Sequence, residues 1–278
     1  MKGFLAFAMV AALALAHNDG QLTISVNGQD QTVYVVGADW VTPMITVSGR
    51  SVTLRGGGRA YIAKSADDQM NPDFFDDFDL KGSTVTYTVD LSQVGCSCNA
   101  AFYTSQMPGH KWDGSSDPTD GGDYYCDANR VGGEYCPEMD ILESNKYTFA
   151  TTPHTCNDPN NNHYDWCDGA GKGTNIFNVD NKAFCPDGSC KINTSQPFTK
   201  TITFNAPNGQ LTSISVLLEQ NGNQFNFDAC DDQGYLSKMG DQLKGSVFVY
   251  SLWGNTYGTM QWLDGMTGCQ GDCDIDNT

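Results

Sequence analysis

Basic residues are scarce in this chain of 278 residues: 15 Lys and Arg stand against 33 Asp and Glu, a formal charge of −18. That imbalance excludes nucleic acid and anionic membrane surfaces as partners, because both would repel the protein. A neutral polysaccharide meets no such repulsion. Helix signals are nearly absent, and there is no Pro/Ser/Thr-rich linker and no internal repeat, so no appended binding module is expected. There is no CxxC pair, and the Cys96-x-Cys98 spacing is a poor zinc clamp, so no structural zinc is expected. No apolar run is long enough to span a bilayer. The run from Phe4 to Ala16 follows a single charge, Lys2, and ends Ala14-Leu15-Ala16, the small-x-small pattern of a signal-peptide cleavage site. Residues 1–16 are therefore expected to be a signal peptide, and 17–278 one secreted, extracellular domain beginning at His17.

Eleven cysteines in a secreted chain imply a disulfide framework with one thiol left over. The close spacings Cys185/Cys190 and Cys269/Cys273 suggest two small stapled loops. Apolar stretches are short and alternate with Thr, Ser and Asn: Val85, Tyr87, Val89 and Leu91, then Thr199 to Phe204, Leu211 to Leu218, and the nearly all-apolar Ser246 to Trp253. Such short alternating runs predict an all-β antiparallel sandwich. The clusters Asn157–Asn162 and Gly169–Gly173 read as surface loops, and Asn193-Thr194-Ser195 is a glycosylation acceptor pattern.

The informative stretch is Cys136-Pro137-Glu138-Met139-Asp140-Ile141-Leu142-Glu143-Ser144-Asn145. As a strand it puts Glu138 and Asp140 on one face and Met139 and Ile141 in the core. Glu143 then has the wrong parity, which a β-bulge between Asp140 and Glu143 would correct. With one residue absorbed, the two glutamates lie roughly 13 Å apart along the strand. Their side chains can lean together to bring the carboxyls to about 5 Å, the separation of a retaining glycosidase pair. Three acids on one strand are tolerable only if their protonation differs, one Glu holding a proton while the other is ionised. Stacking aromatics are the second signal, because sugar rings have flat apolar faces. Trp253, Trp262, Trp40 and Tyr103 are candidates, although each alone could be a core aromatic.

The motif Glu138-Met139-Asp140-Ile141-x-Glu143-x-Asn145, followed by Thr152-Pro153-His154-Thr155-Cys156, resembles glycoside hydrolase family 7, the fungal cellobiohydrolases and endoglucanases. Ala101-Phe102-Tyr103, Cys126-Asp127-Ala128-Asn129, Asn193 to Thr199, and Ser251-Leu252-Trp253 through Trp262-Leu263-Asp264 look like further family segments, in order along the chain. Ala38-Asp39-Trp40 is a fainter echo. The resemblance implies a curved concanavalin-like jelly roll and retaining chemistry. It makes Glu138 the nucleophile, Asp140 its partner and Glu143 the acid/base. Tyr103, Asp127, Asn129 and His154 would line the cleaving subsite, and Trp40, Trp253 and Trp262 would bind the glucan.

The chain departs from typical members in being much shorter. It lacks a long insertion between Cys126 and Glu138, has Asn129 where glutamine is usual and Leu142 where tryptophan is usual, and shows no clear counterpart of the product-holding arginines. A missing roof implies an open cleft and endo-acting cleavage of a cellulose-like β-1,4-glucan. The implied enzyme needs no metal and no cofactor, acts as a monomer, and has a bell-shaped pH profile with an acidic optimum.

Three rivals remain. A family 16-type β-1,3 or mixed-linkage glucanase shares the Glu-x-Asp-x-x-Glu spacing, but not the tryptophan pair or the Pro-His-Thr-Cys segment. A non-catalytic glucan-binding lectin usually loses an acid, and both glutamates remain here. An N-terminal His17 suggests a copper-dependent oxygenase, a reading that nothing else supports.

Overall fold

The computed structural model describes residues 17–38, 45–65 and 70–278. In chain order the strands are β1 (His17–Val26), β2 (Gln29–Gly37), β3 (Ile45–Ser48), β4 (Ser51–Leu54), β5 (Gly58–Ala63), β6 (Asp77–Phe78), β7 (Thr84–Val89), β8 (Cys98–Ser105), β9 (Glu138–Asn145), β10 (Thr148–His154) and β11 (Thr174–Asn175). They continue with β12 (Phe184–Cys185), β13 (Ile192–Asn193), β14 (Phe198–Asn205), β15 (Ser213–Gln220), β16 (Asn223–Asp228) and β17 (Ser246–Gly254). The α-helices are α1 (Ile176–Val179), α2 (Gln233–Gln242) and α3 (Gln261–Asp264).

Two antiparallel sheets face each other, as the alternating sequence pattern predicts. The larger runs β1-β2-β5-β17-β8-β9-β10-β11, with β6 also paired to β17, and the smaller runs β16-β15-β14-β7. Strict alternation builds the smaller sheet: Phe198, Lys200, Ile202 and Phe204 of β14 and Ile214, Val216 and Leu218 of β15 are buried. The threonines between them pair outside, Thr84 with Thr203 at 3.2 Å and Thr86 with Thr201 at 3.0 Å. Between the sheets Phe102 of β8 stacks on Phe248 and Tyr250 of β17, with ring centroids 5.2 and 4.9 Å apart. Tyr87 of β7 meets Phe102 edge-on from the opposite sheet. Such apolar contacts drive the two sheets together, at roughly 25 cal/mol per Å² of apolar surface removed from water.

Helix α2 departs from the expectation of almost no helix. Asp232 caps it, its carboxylate accepting the Tyr235 amide N–H at 2.9 Å. Leu236, Met239 and Leu243 fall at helical spacing and join the main core.

Five disulfides form: Cys96–Cys269, Cys98–Cys273, Cys126–Cys136, Cys156–Cys167 and Cys185–Cys190. The 185/190 loop is stapled as expected, and Cys230 is the thiol left over, buried. The expected 269/273 loop does not exist. Cys269 and Cys273 instead each tie the C-terminal segment to the start of β8, because that segment folds back across the end of β17. The Cys273 amide donates to the Asn255 carbonyl there at 2.9 Å. Disulfide density of this kind fits an extracellular protein. No helix among the described residues is long and apolar enough to cross a membrane.

Candidate active site

The site is built on β9 and its two neighbours. On the β10 side, Glu138, Asp140 and Glu143 lie opposite His154, Thr152 and Ala150. On the β8 side they lie opposite Ser105, Tyr103 and Ala101. Both ladders slip by one residue between Asp140 and Glu143, so Ile141 and Leu142 together face Thr151. This is the bulge that the parity of the motif demands. It sets Glu138 and Glu143 four positions apart against both flanking strands and on the same face, while Met139, Ile141 and Leu142 are buried beneath.

The face continues across the sheet. Ala101 and Tyr103 lie opposite Ser251 and Val249 of β17, and these in turn lie opposite Arg59 and Tyr61 of β5. The result is one sheet face with the carboxyl groups along one strand and aromatic and basic groups beside them.

Each carboxyl sits in a different environment. Glu138 is buried, and one oxygen accepts the Ala128 amide N–H at 3.0 Å. Burial and then the neighbouring Asp140 and Asp127 push its pKa up, while His154 and the Ala128 amide oppose the rise. Glu143 is half-buried and accepts a hydrogen bond from the Asn99 side-chain amide at 2.9 Å. Burial, and after it Asp140, pushes its pKa up to about 8. Asp140 lies between them with an oxygen 2.8 Å from His154 Nε2. His154 Nδ1 is 2.9 Å from the carbonyl oxygen of Asp168, which can only accept, so that nitrogen carries its proton. Burial opposes the charge on the ring, but the hydrogen bond and charge of Asp140 outweigh it and raise the His154 pKa to about 10. His154 is therefore a buried imidazolium hydrogen-bonded to Asp140 across the neutral range.

Residues 128–231 match the family model described as glycosyl hydrolase family 7. Endoglucanase EG-1 of Hypocrea jecorina is 31% identical over 284 residues, covering 86% of this chain and 58% of the relative. The endo-beta-1,4-glucanase celB of Aspergillus oryzae is 31% identical over 246 residues, covering 70% of this chain and 58% of the relative. The chain thus spans 58% of the length of these curated relatives. A solved endoglucanase I complexed with cellobiose superposes with a TM-score of 0.72 at 21% identity, covering 92% of this chain and 89% of that one. The chain belongs to glycosyl hydrolase family 7.

In this family 7 chain the other sequence-predicted residues fall at graded distances from the carboxyls. Tyr103 lies opposite Asp140, and its hydroxyl is 2.8 Å from that of Tyr125. Asp127 is buried and feels Glu138 electrostatically, but its own Oδ1 is engaged by the amides of Asn129 and Val131, at 2.9 Å each. Burial nonetheless leaves its pKa raised. Asn129 is exposed, with its side-chain oxygen against Gly169. Trp253, 47% exposed, lies opposite Asn99 at the Glu143 end of the floor. Trp262, 49% exposed, stands on helix α3 rather than on a strand. Met260 and Leu263 of that segment bury against Ala150, the β10 neighbour of Glu143, and Asp264 accepts hydrogen bonds from the Ser97 amide and the Asn145 side chain, at 2.9 and 3.0 Å. Trp40 lies outside the described residues, as do residues 1–16.

Several groups were not singled out from the sequence. Asn99 hydrogen-bonds Glu143 and also accepts the Ser144 amide at 2.9 Å; its strand parity with Ala101 and Tyr103 was the available signal. Arg59 lies over the Tyr125 ring at 3.4 Å and pairs with Asp123 at 3.1 Å, and the Tyr61 hydroxyl also donates to Asp123. The Gly169–Gly173 stretch does more than cross the surface. A Cβ at Gly171, where φ is +66°, would stand 2.8 Å from His154 Nδ1, and one at Gly173 would stand 2.4 Å from Thr152 Oγ1. Glycine lets this loop press against β10 and deliver the Asp168 carbonyl to His154.

Proposed function

We propose that the chain is a retaining β-glucanase that cleaves β-1,4-glucosidic bonds of cellulose-like glucan from within the polymer, with Glu138 as nucleophile and Glu143 as acid/base. The observation that carries the reading is the bulge at Ile141–Leu142, which brings a misaligned pair of glutamates onto one face of the sheet. The substrate class follows the named activities of the 31%-identical relatives and the cellobiose bound by the structural neighbour.

The roles follow the order of the two acids in the motif that resembles the family, and local contacts act on each group. Burial and the neighbouring Asp140 and Asp127 raise the Glu138 pKa, while the Ala128 N–H on one oxygen and the nearby His154 imidazolium oppose that rise and favour the ionised form that attack requires. Glu143 meets the neutral Asn99 amide and also feels His154, but burial and Asp140 outweigh both, and its pKa of about 8 keeps the proton in place at neutral pH. In the first step Glu138 attacks the anomeric carbon as Glu143 gives its proton to the departing sugar oxygen. In the second step Glu143, now ionised, takes a proton from water, and the resulting hydroxide displaces Glu138. Asp140, braced by His154, orients and electrostatically tunes Glu138 between the two. Neither step needs a metal or a cofactor.

Endo action is supported by the short span between Cys126 and Cys136, which their disulfide closes at a sequence separation of 10 and which leaves little chain to roof the cleft. With residues 1–16 as a signal peptide and a glycan on Asn193, residues 17–278 would act as a single secreted domain and as a monomer. Assay of reducing ends and viscosity on a soluble cellulose derivative, mixed-linkage glucan and laminarin tests the reading, with Glu138→Gln as the control. Activity confined to laminarin would move the enzyme to the β-1,3 class, and full activity in Glu138→Gln would remove the nucleophile.

A further inference from the structure

Lys200 occupies a position that the alternation of β14 reserves for an apolar side chain. It is fully buried between Phe198 and Ile202, facing the larger sheet. Its ammonium crosses the sandwich and reaches the underside of the bulge. There Nζ donates to the Ile141 carbonyl oxygen at 2.7 Å and to Thr151 Oγ1 at 2.8 Å. The Thr151 hydroxyl in turn donates to the same Ile141 oxygen at 2.9 Å, and the Phe149 ring lies 3.9 Å from Nζ. Ile141 is the residue the β8 ladder skips, and Thr151 is the β10 residue that faces the doubled pair.

Among the described residues Lys200 meets no carboxylate, and such a lysine is an expensive choice for a core. Burial alone pushes its pKa well below the usual lysine range, and apolar replacements of buried charges are frequently neutral or stabilising. A group that could be replaced with a gain in stability, yet meets the one carbonyl at which the catalytic strand breaks register, has a use other than stability.

We propose that Lys200, acting with Thr151, is a positioning residue: it locks the Ile141–Leu142 bulge from beneath and so holds Glu143 on the same face as Glu138 and Asp140. Without the clamp, β9 can relax toward a regular ladder, and relaxation by one residue turns Glu143 to the opposite face. Even a shift of about 1 Å in such a pair costs on the order of 100-fold in rate. The inference rests on the reading of Glu138 and Glu143 as the working pair.

The test is Lys200→Met in the full chain, assayed with nitrophenyl β-cellobioside alongside thermal unfolding. The expected result is a melting temperature equal to or above that of the wild type, kcat lowered about 100-fold and KM within about threefold. The alkaline limb of the pH–rate profile should also move to lower pH, because a Glu143 released from burial beside Asp140 loses the causes of its raised pKa. A kcat per folded molecule equal to that of the wild type overturns the proposal, as does a loss that only tracks the unfolded fraction. If Lys200→Met does not fold, Thr151→Val decides by the same readings, with a kcat loss of about 10-fold at retained melting temperature expected and an unchanged kcat refuting the clamp. Wild type and Glu138→Gln on the same substrate separate the two levels: an inactive wild type or an active Glu138→Gln defeats the carboxyl reading itself, whereas an active wild type with unaffected Lys200→Met defeats only the clamp.

Discussion

Replacing Glu143 by glutamine should destroy hydrolysis and stabilise the protein at neutral pH. The folded-state pKa of Glu143 is about 8 against an ordinary value of 4.5, so between these values the native protein holds a proton that the unfolded chain has released. Stability from this group is complete below about pH 4.5 and is lost progressively as pH rises toward 8. At pH 7 the difference corresponds to about 3 kcal/mol. The side chain is open to the cleft on one side, and solvent screening reduces this to roughly 1–2 kcal/mol. Glutamine carries no charge in either state and avoids the cost, while its amide can still meet Asn99. For a chain of this size the gain amounts to a rise of about 2–6 °C in melting temperature at pH 7. At pH 4.5 the wild-type carboxyl is itself protonated in the fold, and the difference should nearly vanish. Calorimetric scans of both proteins at the two pH values measure it. A gain of equal size at both values, or a loss at pH 7, would refute the assignment of a burial-raised proton to Glu143.

Other consequences follow from the same geometry. His154→Ala leaves Asp140 as an unpaired buried carboxylate, which should cost about 3–5 kcal/mol at neutral pH, read as a fall in melting temperature together with a fall in kcat. The His154 contribution is fully present below about pH 6.5 and is lost as pH rises to about 10, so the deficit of the variant should shrink in alkaline buffer. The wild-type rate profile should fall on its alkaline side near pH 8, where Glu143 loses its proton, which places the optimum closer to neutrality than the acid motif alone suggests. Trp253→Ala removes an exposed ring, so stability should change by no more than about 0.5 kcal/mol, while KM on soluble cellulose derivative should rise about 3- to 10-fold through lost stacking.

The bulge was legible from sequence because parity is a local property: Glu138, Asp140 and Glu143 cannot share a face of a regular strand, and only an inserted residue reconciles them. The sandwich was legible from β7, β14, β15 and β17 for the same reason, since alternation is written within each strand. What was not legible lay between segments remote in the chain. Cys269 and Cys273 are close in sequence, yet their partners Cys96 and Cys98 lie at the start of β8, and no spacing rule reports that the C-terminal segment returns there. Asp232 and the Leu236, Met239 and Leu243 spacing announce helix α2, but two glycines and flanking turn residues mask the pattern. Trp262 reads from sequence as a stacking candidate, but its place on α3 depends on Met260 and Leu263 finding Ala150. Lys200 falls in phase with Phe198, Ile202 and Phe204, so the alternation of β14 turns it inward, but only the facing sheet reveals that it points at Ile141.

The configuration of the first product formed is the most direct test of the central claim, that one bulged strand aims two glutamates at a single sugar linkage. Proton NMR of a soluble cello-oligosaccharide in the first minutes of hydrolysis should show the β-anomer accumulating ahead of mutarotation. Initial appearance of the α-anomer would mean inversion by a water held between more distant carboxyls, and the geometry assigned here to Glu138 and Glu143 would be wrong.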